Sequence, residues 1–569
     1  MNRMKHCYWF FTVTVFLLQI VIAIQAEGQQ QLYGTIPADI ERMGLKPISR
    51  LDSTRQLHLA IGLPLRNQEA CTSLLEQIYD PASPEYHHYL TPDEFTARFG
   101  PTDQDYQKVI AFAEAKGMKV IGMHPDRVLL DVSGAVAGIE PAFHVEFRVY
   151  NHPRESRTFY APDVEPVLDL SVPVIHISGF TNYSLPRPRS KAISSAANPG
   201  AASIKGSGSQ NGYFFGRDFR AAYAPNVTQE GQGQAVGIVA FDGFDIHDIT
   251  DYEDLMQIPH ATVTTVLLPN CDGLQHGLQL EVCLDIEMAI AMAPQCTVIV
   301  YEAPSDNWDD PATWEDVLDR MYDDNSAKQL SCSWGMDPEA GANPTADVIF
   351  LQMAFQGQSF LDASGDTDAI PGGFLNPFPG DSPYITQVGG TTLTTNGPGG
   401  SYNSETVWNR HDPIYGIGST GGISIQYPIP LWQQGIDMTS NHGSATMRNT
   451  PDVALTAENV YVRAGGQPNY VGGTSCAAPL WAGFIALVNQ KSLAIGGGYV
   501  GFLNPSIYSI GKGPQSQYAA DFHDVTLGVY GNTWANSSNY FYATAGYDLC
   551  TGWGSPNGLA LVNDLVLST

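Results

Sequence analysis

Leu278-Gln-Leu-Glu281-Val-Cys-Leu-Asp285-Ile-Glu-Met-Ala-Ile-Ala-Met292 is followed, after three residues, by Cys296-Thr-Val-Ile-Val-Tyr301. The first stretch has helical spacing and is largely apolar apart from its acids, which predicts a helix whose acidic face is partly buried. The second is a short apolar run rich in β-branched residues, which predicts a buried strand. Working outward, Ala235–Phe241 reads as another buried strand, Trp314–Tyr322 as a helix and Ser359–Ala363 as a further strand. Strands alternating with helices predict an α/β fold with a mainly parallel sheet covered on both faces. Ligand sites in such folds lie at the carboxyl ends of the strands.

The 569-residue chain carries 58 acidic and 28 basic side chains, a formal net charge of −30. This excludes nucleic-acid binding as the main function, because phosphate contacts need clustered Lys and Arg. Hydrophobic residues are 43% and charged residues 15%, which allows a large core and argues against bulk disorder. The acidity is concentrated: residues 206–569 hold 37 acidic and 9 basic side chains, residues 27–205 hold 21 and 17. An acid-rich, base-poor surface accumulates little positive self-repulsion on acidification, which suits work at low pH; solubility at neutral pH is the plainer reading.

Residues 1–26 read as an export signal. Arg3 and Lys5 precede an apolar run from Cys7 to Ile24, and Ala23 and Ala26 offer small-residue cleavage points. A retained anchor is the alternative. The chain is therefore expected to be secreted, where disulfides are permitted. Six of the eight cysteines (Cys271, Cys283, Cys296, Cys332, Cys476 and Cys550) lie in the acidic half, and their spacing assigns no pairs. Residues 27–186 read as an α+β unit, with strands at Leu57–Leu63, Val128–Val132 and Val145–Tyr150 and helices at Thr91–Phe99 and Asp103–Lys116. Thr91-Pro92-Asp93-Glu94 places a cap, a first-turn proline and first-turn acids in order. Residues 187–211 lack periodicity and read as an exposed linker, easily cut by a protease. Residues 212–569 form the α/β unit.

Three places in that unit carry residues suited to chemistry. Gly472-Gly473-Thr474-Ser475-Cys476-Ala477-Ala478-Pro479 runs into an apolar helix, Leu480–Val488. A serine at a helix start stands where free N–H groups and the positive dipole end favour a developing oxyanion; an ordinary capped core helix reads the same way. A serine nucleophile needs a base. Glu281 and Asp285 lie four apart on one helix face. Two close, desolvated carboxylates raise a pKa and share a proton, and such a pair can accept the serine proton at a pH where a histidine is already charged. Two solvated acids are the alternative, and Glu287 is assigned to that solvated class. Asp366, in Ala363-Ser364-Gly365-Asp366, either caps a turn or, protonated, donates to an oxyanion. A rival arrangement joins Asp242, His276 and Ser475 in the Asp, His, Ser order of subtilisins, although His276 lacks their His-Gly-Thr-His surroundings.

These motifs resemble the sedolisin family of serine-carboxyl peptidases in its kumamolisin-like pro-enzyme form. Glu281-Val-Cys-Leu-Asp285, Ser331-Cys-Ser-Trp334-Gly335, Ser364-Gly-Asp366 and Gly473-Thr-Ser475 with Pro479 match its blocks in order, and Tyr89-Leu-Thr-Pro-Asp-Glu-Phe with Arg98-Phe-Gly-Pro resemble its activation propeptide. The resemblance implies a subtilisin-like catalytic domain behind an α+β propeptide domain. It implies Ser475 as nucleophile, Glu281 as general base, Asp285 as the residue orienting it, Asp366 as the oxyanion-hole acid, and Trp334 and Gly335 lining the substrate cleft. It also implies one structural Ca²⁺ held by Asp524, Asp548 and the carbonyls of Val525, Thr544 and Gly546. Three positions depart from the family pattern: Gly472 replaces a serine, Asp368 adds an acid after Gly365-Asp366-Thr367, and Thr544 replaces a frequent glycine.

The expected activity is that of a secreted, acid-active endopeptidase made as a zymogen. Its partners would be protein or peptide substrates and its own propeptide as intramolecular inhibitor, with no stable membrane association and a monomeric state. Acidification is expected to weaken carboxylate-dependent contacts between propeptide and enzyme. A subtilisin-like peptidase, a tripeptidyl-peptidase, an ester hydrolase and a calcium-stabilised binding protein without turnover are the competing readings.

Overall fold

The computed structural model describes residues 29–192, 213–304, 313–336, 343–370, 378–412, 416–526, 531–533 and 541–567. The expected export signal and residues 193–211 of the expected linker lie outside the described residues.

The N-terminal unit is built on an antiparallel sheet of four strands in the order Lys119–Met123, Leu129–Ala135, Gln56–Gly62, His176–Ser178. The Asp103–Ala115 helix buries Tyr106, Val109, Phe112 and Ala113 on one stripe. They share a core with Leu57, Leu59, Ile61, Leu130 and Val132. The Pro92–Arg98 helix begins with the expected capping box, Thr91 and Glu94 bonding reciprocally; a cap of this kind contributes about 1 kcal/mol.

The second unit has an eight-stranded sheet. Its main path runs Thr262–Leu267, Thr297–Glu302, Ala235–Ala240, Gln329–Cys332, Ser359–Ala363, Thr386–Thr395, Tyr402–Val407, and Val453–Thr456 also pairs with Thr386–Thr395. Every pairing is parallel except that of Tyr402–Val407. Two long helices, Gln279–Met292 and Ala477–Ala494, cross at Gly483. A Cβ there would stand 2.8 Å from the Cβ of Met292 and 2.9 Å from the carbonyl oxygen of Ala289. That close approach holds Glu281 and Ser475, one near the start of each helix, in fixed relation. From Glu281 to Met292 every residue is buried, so the helix is central rather than surface-lying. Glu287 is therefore not solvated: its carboxylate accepts the backbone N–H of Arg463 at 3.0 and 3.1 Å.

The two units share an apolar contact. Phe95 and Phe99 pack against Phe355, and Tyr79 against Phe502. The Tyr79 hydroxyl donates to the Ala354 carbonyl at 2.7 Å and accepts the Phe502 N–H at 2.8 Å. A polar cluster lies beside it: His124 bridges Asp131 of its own unit, at 2.8 Å, and Asp319 of the other. Gln352 donates to Asp126 at 2.7 Å, and Ser178 donates to Glu315.

Burial shapes the response of this cluster to acid. Burial raises Asp126 and Asp323, and raises Glu315 to about 7. A group whose pKa is raised binds its proton more tightly in place than the free acid does, so these three hold their protons more readily as pH falls. His124, against its burial, is held well above 6.5 by Asp319 and Asp131, and its contribution is complete in acid and lost as pH rises. Asp131 has the opposite sense: burial raises it, but His124 and His58 of its own unit together hold it below the ordinary range, so those bonds are lost only in stronger acid than pH 3.8.

Candidate active site

Ser359–Ala363 ends in the middle of the sheet and delivers Ser364-Gly365-Asp366 at its carboxyl end, where ligands bind in such folds. The Gln467–Gly472 strand leads to Gly473, whose φ of 155° and ψ of 155° only glycine adopts readily. A short turn, Thr474–Cys476, then opens the Ala477–Ala494 helix. Asp366 and Thr474 lock these two pieces together. The Thr474 N–H and hydroxyl donate to Asp366 Oδ1 at 2.9 and 3.0 Å, and the Gly365 N–H donates to the Thr474 hydroxyl at 2.9 Å.

Glu281 and Asp285, one helical turn apart, are both fully buried. Burial is the largest cause raising each pKa; the charge of Asp366 adds to it at Glu281, and the charge of Glu281 adds to it at Asp285. Glu281 Oε1 and Asp285 Oδ2 each lack a hydrogen-bond donor among the described residues, which is where one proton shared by the pair would sit. The other Asp285 oxygen accepts the Ser333 hydroxyl at 2.6 Å. The Ser475 hydroxyl is buried without a close partner among the described residues, yet it is near enough to Glu281 to favour that group's charged form. Catalytic contacts of this kind are often long outside the reacting complex.

The segment 187–192 is not an exposed linker. Arg187–Pro188 pairs antiparallel with Trp334–Gly335, and Lys191–Ala192 pairs antiparallel with Val471–Gly472. Between them Arg189 donates its N–H to the Ser333 carbonyl at 2.9 Å, and its own carbonyl accepts the Ser475 N–H at 3.3 Å. The Ser190 hydroxyl bonds Glu281 Oε2. Trp334 is buried against Phe241 in an edge-to-face contact.

The histidine arrangement is not assembled. Both Asp242 oxygens accept backbone N–H groups, of Gly243, His276 and Leu278, and the His276 ring bonds Asp272 at 3.0 Å. Asp368 lies beside Gly418 and Cys550. Ser333 and Thr474, which hold Asp285 and Asp366, were not singled out in the sequence. Their signal was adjacency: each sits in a block already selected, next to Trp334 or Ser475. Seven cysteines, Cys71 and the six of the acidic half, carry no disulfide in the structure.

At the other end of the unit, Asp524 and Asp548 meet across a loop. The Gly546 N–H donates to Asp524 at 3.0 Å, and the N–H groups of Thr544, Cys550 and Thr551 donate to Asp548, each at 2.9 Å. Burial raises Asp524, and raises Asp548 to about 7 with the charge of Asp524 adding to it. Asp548 is buried and Asp524 half-buried, and their mutually repelling carboxylates are the kind of oxygen donors that suit a hard divalent cation.

Residues 44–183 match the family model of the pro-kumamolisin activation domain. Kumamolisin from Bacillus sp. (strain MN-32) is 30% identical over 85% of this chain and 87% of its own length. Tripeptidyl-peptidase 1 from Rattus norvegicus is 24% identical over 92% of this chain and 94% of its own. Among solved structures, Pseudomonas sedolisin, a serine-carboxyl proteinase complexed with pseudo-iodotyrostatin, aligns with a TM-score of 0.54 and 26% identity over 63% of this chain and 98% of that one. The expected architecture, a subtilisin-like domain with a mainly parallel sheet behind an α+β propeptide, is the one observed. The chain thus belongs to the sedolisin family of serine-carboxyl peptidases, and is a serine-type peptidase carrying its own activation propeptide.

Proposed function

We propose that the protein is a secreted endopeptidase, active in acid, that uses Ser475 as nucleophile and Glu281 as general base. The observation that carries this reading is the convergence of Ser475, Glu281 and Asp366 on one peptide bond of the chain itself, Arg189–Ser190. Ser475 Oγ attacks the carbonyl carbon while Glu281 takes its proton, and Asp285 orients Glu281 and spreads the proton over the pair. Asp366, carrying a proton in acid, and the Ser475 N–H stabilise the oxyanion. The acyl-enzyme that forms is hydrolysed by water, with Glu281 again as base. When the propeptide strand leaves the cleft, water reaches Glu281 and the burial that raises its pKa is relieved, so the pair acts as a monoanion in acid.

Trp334 and Gly335 supply one wall of the cleft by pairing with the substrate backbone. The strand that occupies it continues past the scissile position in both directions, from Arg187 to Ala192. A cleft open at both ends supports internal cleavage over removal of tripeptides. Digestion of amino-terminally blocked peptide libraries between pH 2 and 8, read by mass spectrometry, is expected to give internal cuts at acid pH. Release of tripeptides from free amino termini alone would oppose this.

A monomer exported from the cell fits the reading, with the propeptide as intramolecular inhibitor. No helix among the described residues is long and apolar enough to cross a membrane. Asp524, Asp548 and the carbonyls of Val525, Thr544 and Gly546 would hold one Ca²⁺, whose charge would offset the repulsion of the two acids. A site filled at a hundredfold over Kd contributes about 2.7 kcal/mol. Chelation, or Asp548→Asn, is therefore expected to lower the Tm of the mature enzyme by roughly 5 °C or more. An unchanged Tm in calorimetry would remove the cation from the account.

A further inference from the structure

The side chain of Arg189 points to a property of the cleft beyond the catalytic groups. Its backbone carbonyl occupies the corner between the Ser475 N–H and Asp366: a Cβ placed on Gly473 would stand 2.5 Å from that oxygen and 2.8 Å from Asp366 Oδ2. Arg189 is thus the residue on the acyl side of the bond facing Ser475. Its side chain, only 6% exposed, runs into a pocket. One guanidinium nitrogen, Nη2, donates to the Phe378 carbonyl at 2.8 Å, and Nη1 donates to the Ala363 carbonyl. Asp362 Oδ2 lies 3.6 Å from Nη1. Gly335 forms a wall of this pocket, since a Cβ there would overlap the guanidinium and force it to move.

Asp362 is wholly buried on the strand that delivers Asp366, and apart from the nearby Cys332 thiol, a weak donor, neither of its oxygens has a close hydrogen-bond partner among the described residues. Burial raises it, and the Arg189 charge is the main influence opposing that, so the bound guanidinium and the ionised carboxyl favour one another. A buried carboxylate without a donor is costly unless a cation meets it. The pocket therefore combines a carboxylate floor with a rim of two carbonyl oxygens, an acceptor-rich lining that fits a guanidinium or ammonium better than an acidic side chain.

We propose that Asp362 makes this peptidase select a basic residue, arginine before lysine, on the acyl side of the bond it cuts, and that the precursor makes its first cut at Arg189–Ser190. The proposal rests on Ser475 and Glu281 being the catalytic pair. In the first cut the Ser475 oxygen bonds to the Arg189 carbonyl carbon and its proton passes to Glu281. The bond to the Ser190 nitrogen then breaks, and that nitrogen takes the proton from Glu281. Water hydrolyses the Arg189 ester, freeing the Arg189 carboxyl group and restoring the Ser475 hydroxyl.

Two measurements test it. Purified full-length precursor, sampled by intact mass during activation, is expected to show a first new amino terminus at Ser190; a first cut elsewhere with Arg189–Ser190 intact would overturn the assignment of the first cut. Mature enzyme is then assayed on peptides differing only at the acyl-side residue, at the pH of maximal turnover. The arginine peptide is expected to exceed the leucine peptide in kcat/KM by on the order of a hundredfold, the scale of a lost buried charge partner. Asp362→Asn should cut that ratio at least tenfold, a change that misfolding cannot mimic because misfolding would lower turnover of both peptides together. Should that variant fail to fold, wild-type mature enzyme is given Ser475→Ala precursor with and without Arg189→Glu. Slower cutting of the Arg189→Glu form supports the pocket, and equal cutting at this bond overturns it. Equal turnover of arginine and leucine peptides by an enzyme that Ser475→Ala inactivates would overturn the pocket and spare the peptidase reading. No turnover of any peptide would overturn both.

Discussion

Glu281→Gln is expected to lower kcat by about three to four orders of magnitude while leaving the protein folded. Glutamine fills the same volume and accepts a hydrogen bond through its carbonyl oxygen, so the packing between the two crossing helices survives. It cannot take a proton from Ser475. The substitution also removes one of two mutually repelling buried acids, whose pKa values burial and like charge raise. The variant should therefore be as stable as the wild type in acid and more stable toward neutral pH, where the native pair pays for ionising in the interior. Steady-state kinetics with thermal unfolding at pH 4 and pH 7 checks both halves. Wild-type kcat in a folded Glu281→Gln protein would remove Glu281 from the mechanism.

Ser475→Ala should abolish peptide hydrolysis, by about six orders of magnitude in rate, and leave the precursor uncut for as long as the wild type needs to mature. The substitution removes a buried hydroxyl that lacks a close partner, so little stability is lost with it. The surrounding bonds, from Thr474 to Asp366 and from Ser333 to Asp285, do not depend on that oxygen. An inactive protein with an unchanged Tm separates loss of the nucleophile from loss of the fold. Persisting maturation of purified Ser475→Ala precursor would assign the cut to some other group.

The strands and helices that set the fold were legible because each carries its own period. Ala235–Ala240, Gln279–Met292, Thr297–Glu302 and Ser359–Ala363 fall within a few residues of the expected bounds. The pairing of Glu281 with Asp285 was legible for the same reason, since four residues make one helical turn. What was hidden depends on partners far along the chain. Glu287 reads as a surface acid until the Val460–Ala464 strand brings the Arg463 N–H to it. Residues 187–192 have no pattern of their own and become strands only because Trp334–Gly335 and Val471–Gly472 offer free edges. Asp362 gives no signal at all in an apolar strand, because its meaning comes from the arginine that reaches it from another unit. Nor does charge sign in the sequence reveal that burial raises Asp126, Asp323 and Glu315 at the propeptide contact.

The central claim is that a carboxyl pair, and no histidine, receives the serine proton. The most direct test is the dependence of kcat/KM on pH between 2 and 8 for the mature enzyme and for His276→Ala, side by side. Two superimposable bells with maxima below about pH 6 are predicted, because carboxyl groups and not imidazole set both limbs. A wild-type rate that climbs through the histidine range to a neutral plateau, and collapses in His276→Ala, would contradict the account.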